Sequence, residues 1–196
     1  MTSASGPKGY YQALALYRST DGGSTWTTTK ANASSSYARA IAVDPAQEKA
    51  LFMSFTDYDT GRYGLVKSVD GGATWKNVPT GGIDQIVDLE FDPLNSRRIY
   101  LCSESSGFYR SDNGGLSWQK MMEDGACFVL VSKRTSRKIF VTQHNAVYVS
   151  GDQGKTWEKI DIGSQQNDEC LSLSYDETRR ILYVGTEGGG ILKKQL

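Results

Sequence analysis

The chain has 196 residues, enough for one domain, or at most two small ones, with a sizeable core. Its 22 Lys+Arg balance 22 Asp+Glu, so the basic excess of a nucleic-acid or anionic-membrane binder is absent, and no apolar run is long enough to span a bilayer. Glycine is high at 21 residues, proline low at 4 and aromatics reach 11%, which excludes a proline-rich linker or a disordered chain and points to short strands between many turns.

In chain order, the first element is a strand over 14–19 that runs into the octapeptide Ser19-Thr-Asp-Gly-Gly-Ser-Thr-Trp26. The same pattern returns as Ser68-Val-Asp-Gly-Gly-Ala-Thr-Trp75, Ser111-Asp-Asn-Gly-Gly-Leu-Ser-Trp118 and Ser150-Gly-Asp-Gln-Gly-Lys-Thr-Trp157, at intervals of 49, 43 and 39 residues. All four tryptophans of the chain lie in these copies. The segments between them also align. Val43–Phe52, Phe91–Tyr100, Val131–Phe140 and Leu173–Leu182 each read as an apolar residue, a polar turn with basic residues, then an apolar pair.

Each unit therefore predicts four antiparallel strands, A to D. Strand A covers 40–43, 86–91, 127–131 and 170–175, and strand B covers 50–55, 99–103, 139–142 and 181–185. Strand C covers 64–68, 107–111, 146–150 and 190–194, the octapeptide is the C–D hairpin, and D is expected to start at its Trp. Four short strands per repeat of about 44 residues is the blade of a β-propeller, which must stack on its neighbours to bury both faces. The expected units are 10–37, 38–84, 85–125, 126–166 and 167–196, in one domain over 1–196.

Within the octapeptide, Asp21, Asp70 and Asp152 can accept backbone N–H bonds as Asx turns do, with Asn113 as an uncharged substitute. The recurring Gly supplies a positive φ, and Trp26, Trp75, Trp118 and Trp157 supply apolar plates for the adjoining blade. On these motifs the chain resembles the Asp-box, or BNR-repeat, β-propellers: sialidases, two-propeller xyloglucanases, the sortilin luminal domain and a photosystem II assembly factor. The resemblance implies an all-β propeller in which the box is a structural hairpin away from the working face. No metal or cofactor is expected, since D-x-G lacks the denser acidic pattern of a calcium loop.

The strands count as two, then three sets of four, then three. Joining the last A–B pair to the first C–D pair would close four blades and leave one C strand over. About four blades is short for relatives of this type. The chain is thus a small ring, a partial ring, or half of a ring completed by a second chain, and an open stack would leave two apolar faces that favour self-association.

Candidate functional residues lie on the rim of B–C and D–A loops. The longest such loop, Thr56–Tyr63, carries Asp57, Tyr58, Asp59, Arg62 and Tyr63; its counterparts carry Glu104, His144 and Glu187. Asp84, Glu123, Asp124, Asp168 and Glu169 lie in the D–A loops. Tyrosines, an arginine and carboxylates on one rim suit recognition of a protein or glycan by stacking and bidentate hydrogen bonds. The binding set is Asp57, Tyr58, Arg62, Tyr63, His144 and Glu187. The alternative is a glycoside hydrolase or a fragment of one, for which Asp59 and Glu104 are the candidate carboxylates. Sialidase chemistry lacks support: there is no Arg-Ile-Pro, and the doublets Arg97-Arg98 and Arg179-Arg180 fall on the opposite rim. Cys102, Cys127 and Cys170 show no C-x-x-C spacing and read as buried free thiols. With no apolar signal core in Met1–Gly9, a complete chain is expected to be cytoplasmic, and an excerpt secreted or periplasmic.

Overall fold

The structure, a computed structural model, describes residues 15–30, 36–57, 59–135, 137–163 and 169–196. Among these residues it is all β, with antiparallel sheets of two, four, four, four and three strands. The first sheet pairs β1 (Ala15–Arg18) with β2 (Thr27–Lys30). The second is β3 (Ser36–Asp44), β4 (Gln47–Asp57), β5 (Arg62–Ser68) and β6 (Lys76–Val78). The third is β7 (Ile86–Asp92), β8 (Asn95–Ser103), β9 (Gly107–Ser111) and β10 (Gln119–Met122). The fourth is β11 (Val129–Val131), β12 (Ile139–Gln143), β13 (Ala146–Ser150) and β14 (Glu158–Ile160). The fifth is β15 (Cys170–Asp176), β16 (Ile181–Thr186) and β17 (Gly190–Gln195). These are the seventeen strands that the repeat implies, grouped as it implies.

Successive sheets converge along their A strands, β3, β7, β11 and β15. The core lies between sheets. Phe52 and Leu65 of the second sheet pack with Leu89, Ile99 and Leu101 of the third. Tyr100 and Phe108 of the third pack with Val131, Ile139 and Val141 of the fourth, and Phe140 and Val147 of the fourth pack with Leu182 and Val184 of the fifth. Strand alternation thus sends one face of each sheet forward and the other back. β8 and β12 bury every residue from Ile99 to Ser103 and from Ile139 to Gln143, because both faces are covered. β16 buries only alternate residues, Leu182, Val184 and Thr186.

Two local expectations are corrected. The D strands begin one residue after the Trp, at Thr27, Lys76, Gln119 and Glu158, because the box aspartate or asparagine still holds the backbone N–H of the residue before the Trp in three bonds at 2.9 Å and one at 3.0 Å. In the fifth sheet the counterpart of Phe91 and Val131 is Tyr175 rather than Leu173. Phe91 pairs with Ile99, Val131 with Ile139 and Tyr175 with Leu182. The carboxylate of Asp176 then takes the turn role of Asp44 and Asp92, each accepting the N–H two residues on at 2.9 Å.

The ring is not closed: β1–β2 and β15–β17 remain separate sheets. The two ends differ. At the first, Tyr17, Trp26, Ile41 and Val43 are exposed, at 46–61%. At the last, the outward rows are Ser172–Gly185–Ile191, Ser174–Tyr183–Lys193 and Asp176–Ile181–Gln195, a mixed rather than an apolar face.

Candidate functional site

The rim of B–C and D–A loops is pinned by short-range bonds before any side chain projects from it. Asp57 accepts the N–H groups of Asp59 and Thr60 at 2.9 and 3.1 Å and so shapes the β4–β5 hairpin. Asp84 accepts the hydroxyls of Ser105 and Ser106 at 2.6 and 2.5 Å, which lowers its pKa and ties a D–A loop to the β8–β9 turn. Gln143 donates to the Asp124 carbonyl at 2.8 Å, and Glu187 N–H to the Glu169 carbonyl at 3.0 Å. Gln85 and His144 hold positive φ of 38° and 52°, a conformation that costs non-glycine residues energy and recurs at functional turns.

The junction of the second and third sheets gathers the richest cluster. From β3, Arg39 donates through Nε to the Tyr37 hydroxyl at 3.0 Å and lies over the Tyr37 ring. Its Nη1 meets Glu104 Oε2 at 3.5 Å, with side-chain exposures of 32% and 54%. From β5, the Tyr63 hydroxyl accepts from Gln85 Nε2 at 3.0 Å. Two aromatic rings, a guanidinium, a carboxylate and an amide thus share one edge, and their charges stay open to solvent.

The predicted rim residues divide between this cluster and the rest of the rim. Tyr63 and Glu104 join the cluster. Asp57 is held inside its hairpin. Asp59 and Arg62 are exposed, and Asp59 forms no side-chain polar contact with a described residue, Glu104 included. Tyr58 and Asp168 lie outside the described residues. His144 and Glu187 stand at the β12–β13 and β16–β17 turns, on other sheets. Sequence reasoning missed Tyr37, Arg39 and Gln85. The signal was present in the alternation Tyr37-Ala-Arg-Ala-Ile41, which puts Tyr37 and Arg39 on the face opposite the alanines.

A second group was missed on β7. Asp88 accepts the Val129 N–H of β11 at 2.9 Å, bridging the third and fourth sheets. Burial pushes its carboxyl up to about 6. Glu90, two residues on along the same face, is pushed up to about 7 by burial and by Asp88, against the opposing pull of Lys133. Burial also raises Cys102, and burial with Glu104 and Glu169 raises Cys127, so both thiols stay protonated and unreactive at neutral pH. A shallow groove of about 370 Å³ runs along the flank between Pro79–Ile83 and Tyr109, Leu116, Ser117 and Trp118. Its lining has no carboxylate or cation.

A family model described as Sortilin-Vps10 (Sortilin, neurotensin receptor 3) matches residues 106–195. The chain is similar to a vacuolar protein sorting/targeting protein 10 of Verticillium alfalfae, 31% identical over 93 residues, or 44% of this chain and 6% of that protein. It is similar to a xyloglucanase of Hypocrea jecorina, 26% identical over 171 residues, or 76% of this chain and 19% of that one. Among solved structures it is similar to YCF48 bound to D1 peptide, with TM-score 0.68 and 14% identity over 93% of this chain and 58% of that one. The chain spans less than a fifth of the length of these curated relatives. The four boxes, the four-stranded antiparallel sheets and these matches make the chain an Asp-box β-propeller repeat protein.

Proposed function

We propose that the chain is a non-catalytic propeller module that binds a protein segment at the B–C/D–A rim, centred on the second and third sheets. The observation that carries this is the Tyr37, Arg39, Tyr63, Gln85 and Glu104 cluster. Its ion pair is only loosely closed at 3.5 Å and stays exposed, so it is available to a partner's own charges. Aromatic rings beside an arginine are the side chains that dominate protein interfaces. The reading is supported by a relative named for protein sorting and by a structural neighbour determined with a peptide. Panning a displayed random-peptide library against the chain tests it. Binders are expected to lose affinity by at least tenfold on Arg39→Ala or Tyr63→Ala and to keep it on Asp59→Ala. Binders indifferent to the first two substitutions would remove the rim from consideration.

A second reading, glycoside hydrolysis, is supported by the xyloglucanase relative and by the raised carboxyls of Asp88 and Glu90. Xyloglucan turnover lost on Glu90→Gln, or on the sequence candidates Asp59→Ala or Glu104→Ala, would replace the binding reading.

A further inference from the structure

One packing device recurs at the three described seams that lead into a box-bearing sheet. The second glycine of each box is a socket for a side chain of the preceding sheet. Leu16 of β1 sits directly on Gly72. The Phe52 ring and Val78 lie where a Cβ on Gly115 would meet them at 2.9–3.3 Å, and Met121 lies 2.9 Å from the corresponding point on Gly154. All three glycines are buried. The first box has the same turn, with Gly23 at φ 92°, but Gly23 is exposed and, among the described residues, faces only its own Trp26. The plate beside it is bare as well. Trp26 is 61% exposed and Tyr17 is 56% exposed, whereas Tyr109, at the position of Tyr17 in the third sheet, is 9% exposed.

The opposite half of the same seam is bare at the other end of the chain. Leu65, Phe108 and Ile191 each follow a glycine of a C strand (Gly64, Gly107 and Gly190), and each faces forward from its sheet. Leu65 and Phe108 are buried at 1% and 0% under the next sheet; Ile191 is 77% exposed. Tyr183 lies in the adjoining row of that outward face, beside Ser174 and Lys193. Among the described residues, one chain therefore carries an unfilled socket face and an unspent knob face of a single repeated interface, and its first and last sheets are not joined.

We propose that the first sheet's box face, formed by Tyr17, Gly23 and Trp26, docks the fifth sheet of a second copy of this chain, with Ile191 and Tyr183 as its knobs. The occupant follows from continuity with the interface already built between neighbouring sheets. The polar share of the fifth sheet's face, Ser174 and Lys193, suits a contact that forms and parts rather than a permanent core. The contact is heterologous, head to tail, so each copy has one partner surface to give and one to receive.

Sedimentation of the full chain at roughly 10–100 µM, the range in which a weak interface reveals itself, tests the proposal. The wild type is expected to exceed the monomer mass increasingly with concentration. Tyr17→Glu, which blocks the socket end, and Ile191→Glu, which blocks the knob end, are each expected to sediment as monomers while keeping the wild-type circular dichroism. Both positions are exposed, so neither substitution places a charge in the core. Mixed one to one, they are expected to recover a dimer, because an intact knob then meets an intact socket. A wild type that stays monomeric across the range overturns the proposal. So do single variants that keep the wild-type mass, or a mixture that remains monomeric.

Discussion

A single octapeptide shows how much one side chain can organise. Ser19, Ser68 and Ser150 each accept the N–H of the residue four on, at 2.7–2.8 Å, and donate to the following aspartate. The Asp21, Asp70 and Asp152 carboxylates accept both the hydroxyl and the N–H of the Thr four residues on. These bonds hold all three carboxyls down at about 2. A carboxyl lowered on folding adds stability above its unfolded value, roughly 4, and loses that contribution as pH falls through the folded one. Asn113 breaks the pattern. Its Oδ1 accepts as the aspartates do, but its Nδ2 donates to Ser117 at 2.8 Å, reversing the direction of that bond. Asn113→Asp is therefore expected to raise the melting temperature at pH 7 and to leave it unchanged at pH 2, as calorimetry at the two values would show. The box was fully legible because each of these bonds closes within eight residues.

At the scale of an element, the box glycines separate backbone strain from packing. Gly23 and Gly115 share a left-handed φ, 92° and 88°, which alanine adopts at a cost of about 1 kcal/mol. Gly23→Ala is expected to incur that cost alone, since no neighbouring sheet among the described residues faces it. Gly115→Ala would also drive a methyl into the Phe52 ring, adding about 1–3 kcal/mol of overpacking. Urea unfolding of the two variants measures the difference, and equal losses would mean that the seam yields. The strands themselves were legible from alternation and turn residues. The one register error, in the fifth repeat, came from matching Arg-Arg-Ile motifs across turns of different length. The pairing of Tyr175 with Leu182 follows from which residues reach the fourth sheet, and that is a tertiary fact.

For the whole molecule, two sets of carboxyls act on stability in opposite directions. Asp88 and Glu90 are raised to about 6 and about 7, so their protonated forms favour the folded state. Their contribution is present below their unfolded values, roughly 4, and is lost as pH rises through 6–7. The box aspartates weaken the fold below about 4. Stability is therefore expected to peak at about pH 4, where the two effects cross. Asp88→Asn with Glu90→Gln should raise the melting temperature at pH 8 by a few degrees and change it little at pH 4, which thermal melts across that range would check. The Val129 N–H keeps an acceptor in the asparagine, so the bridge between the third and fourth sheets survives.

The sequence by itself determined the repeat, the box and the strand count, because turn chemistry and strand alternation act over a few residues. It also placed the candidate rim, since loop identity follows from strand order. Only the tertiary structure decided which rim residues converge. Arg39 and Glu104 lie 65 residues apart and meet because adjacent sheets bring a β3 side chain to a β8–β9 turn. It likewise decided which carboxyls are costly to ionise and which ends stay bare. Burial, desolvation and the presence of a neighbouring sheet are properties of the packed stack, and no local pattern encodes them.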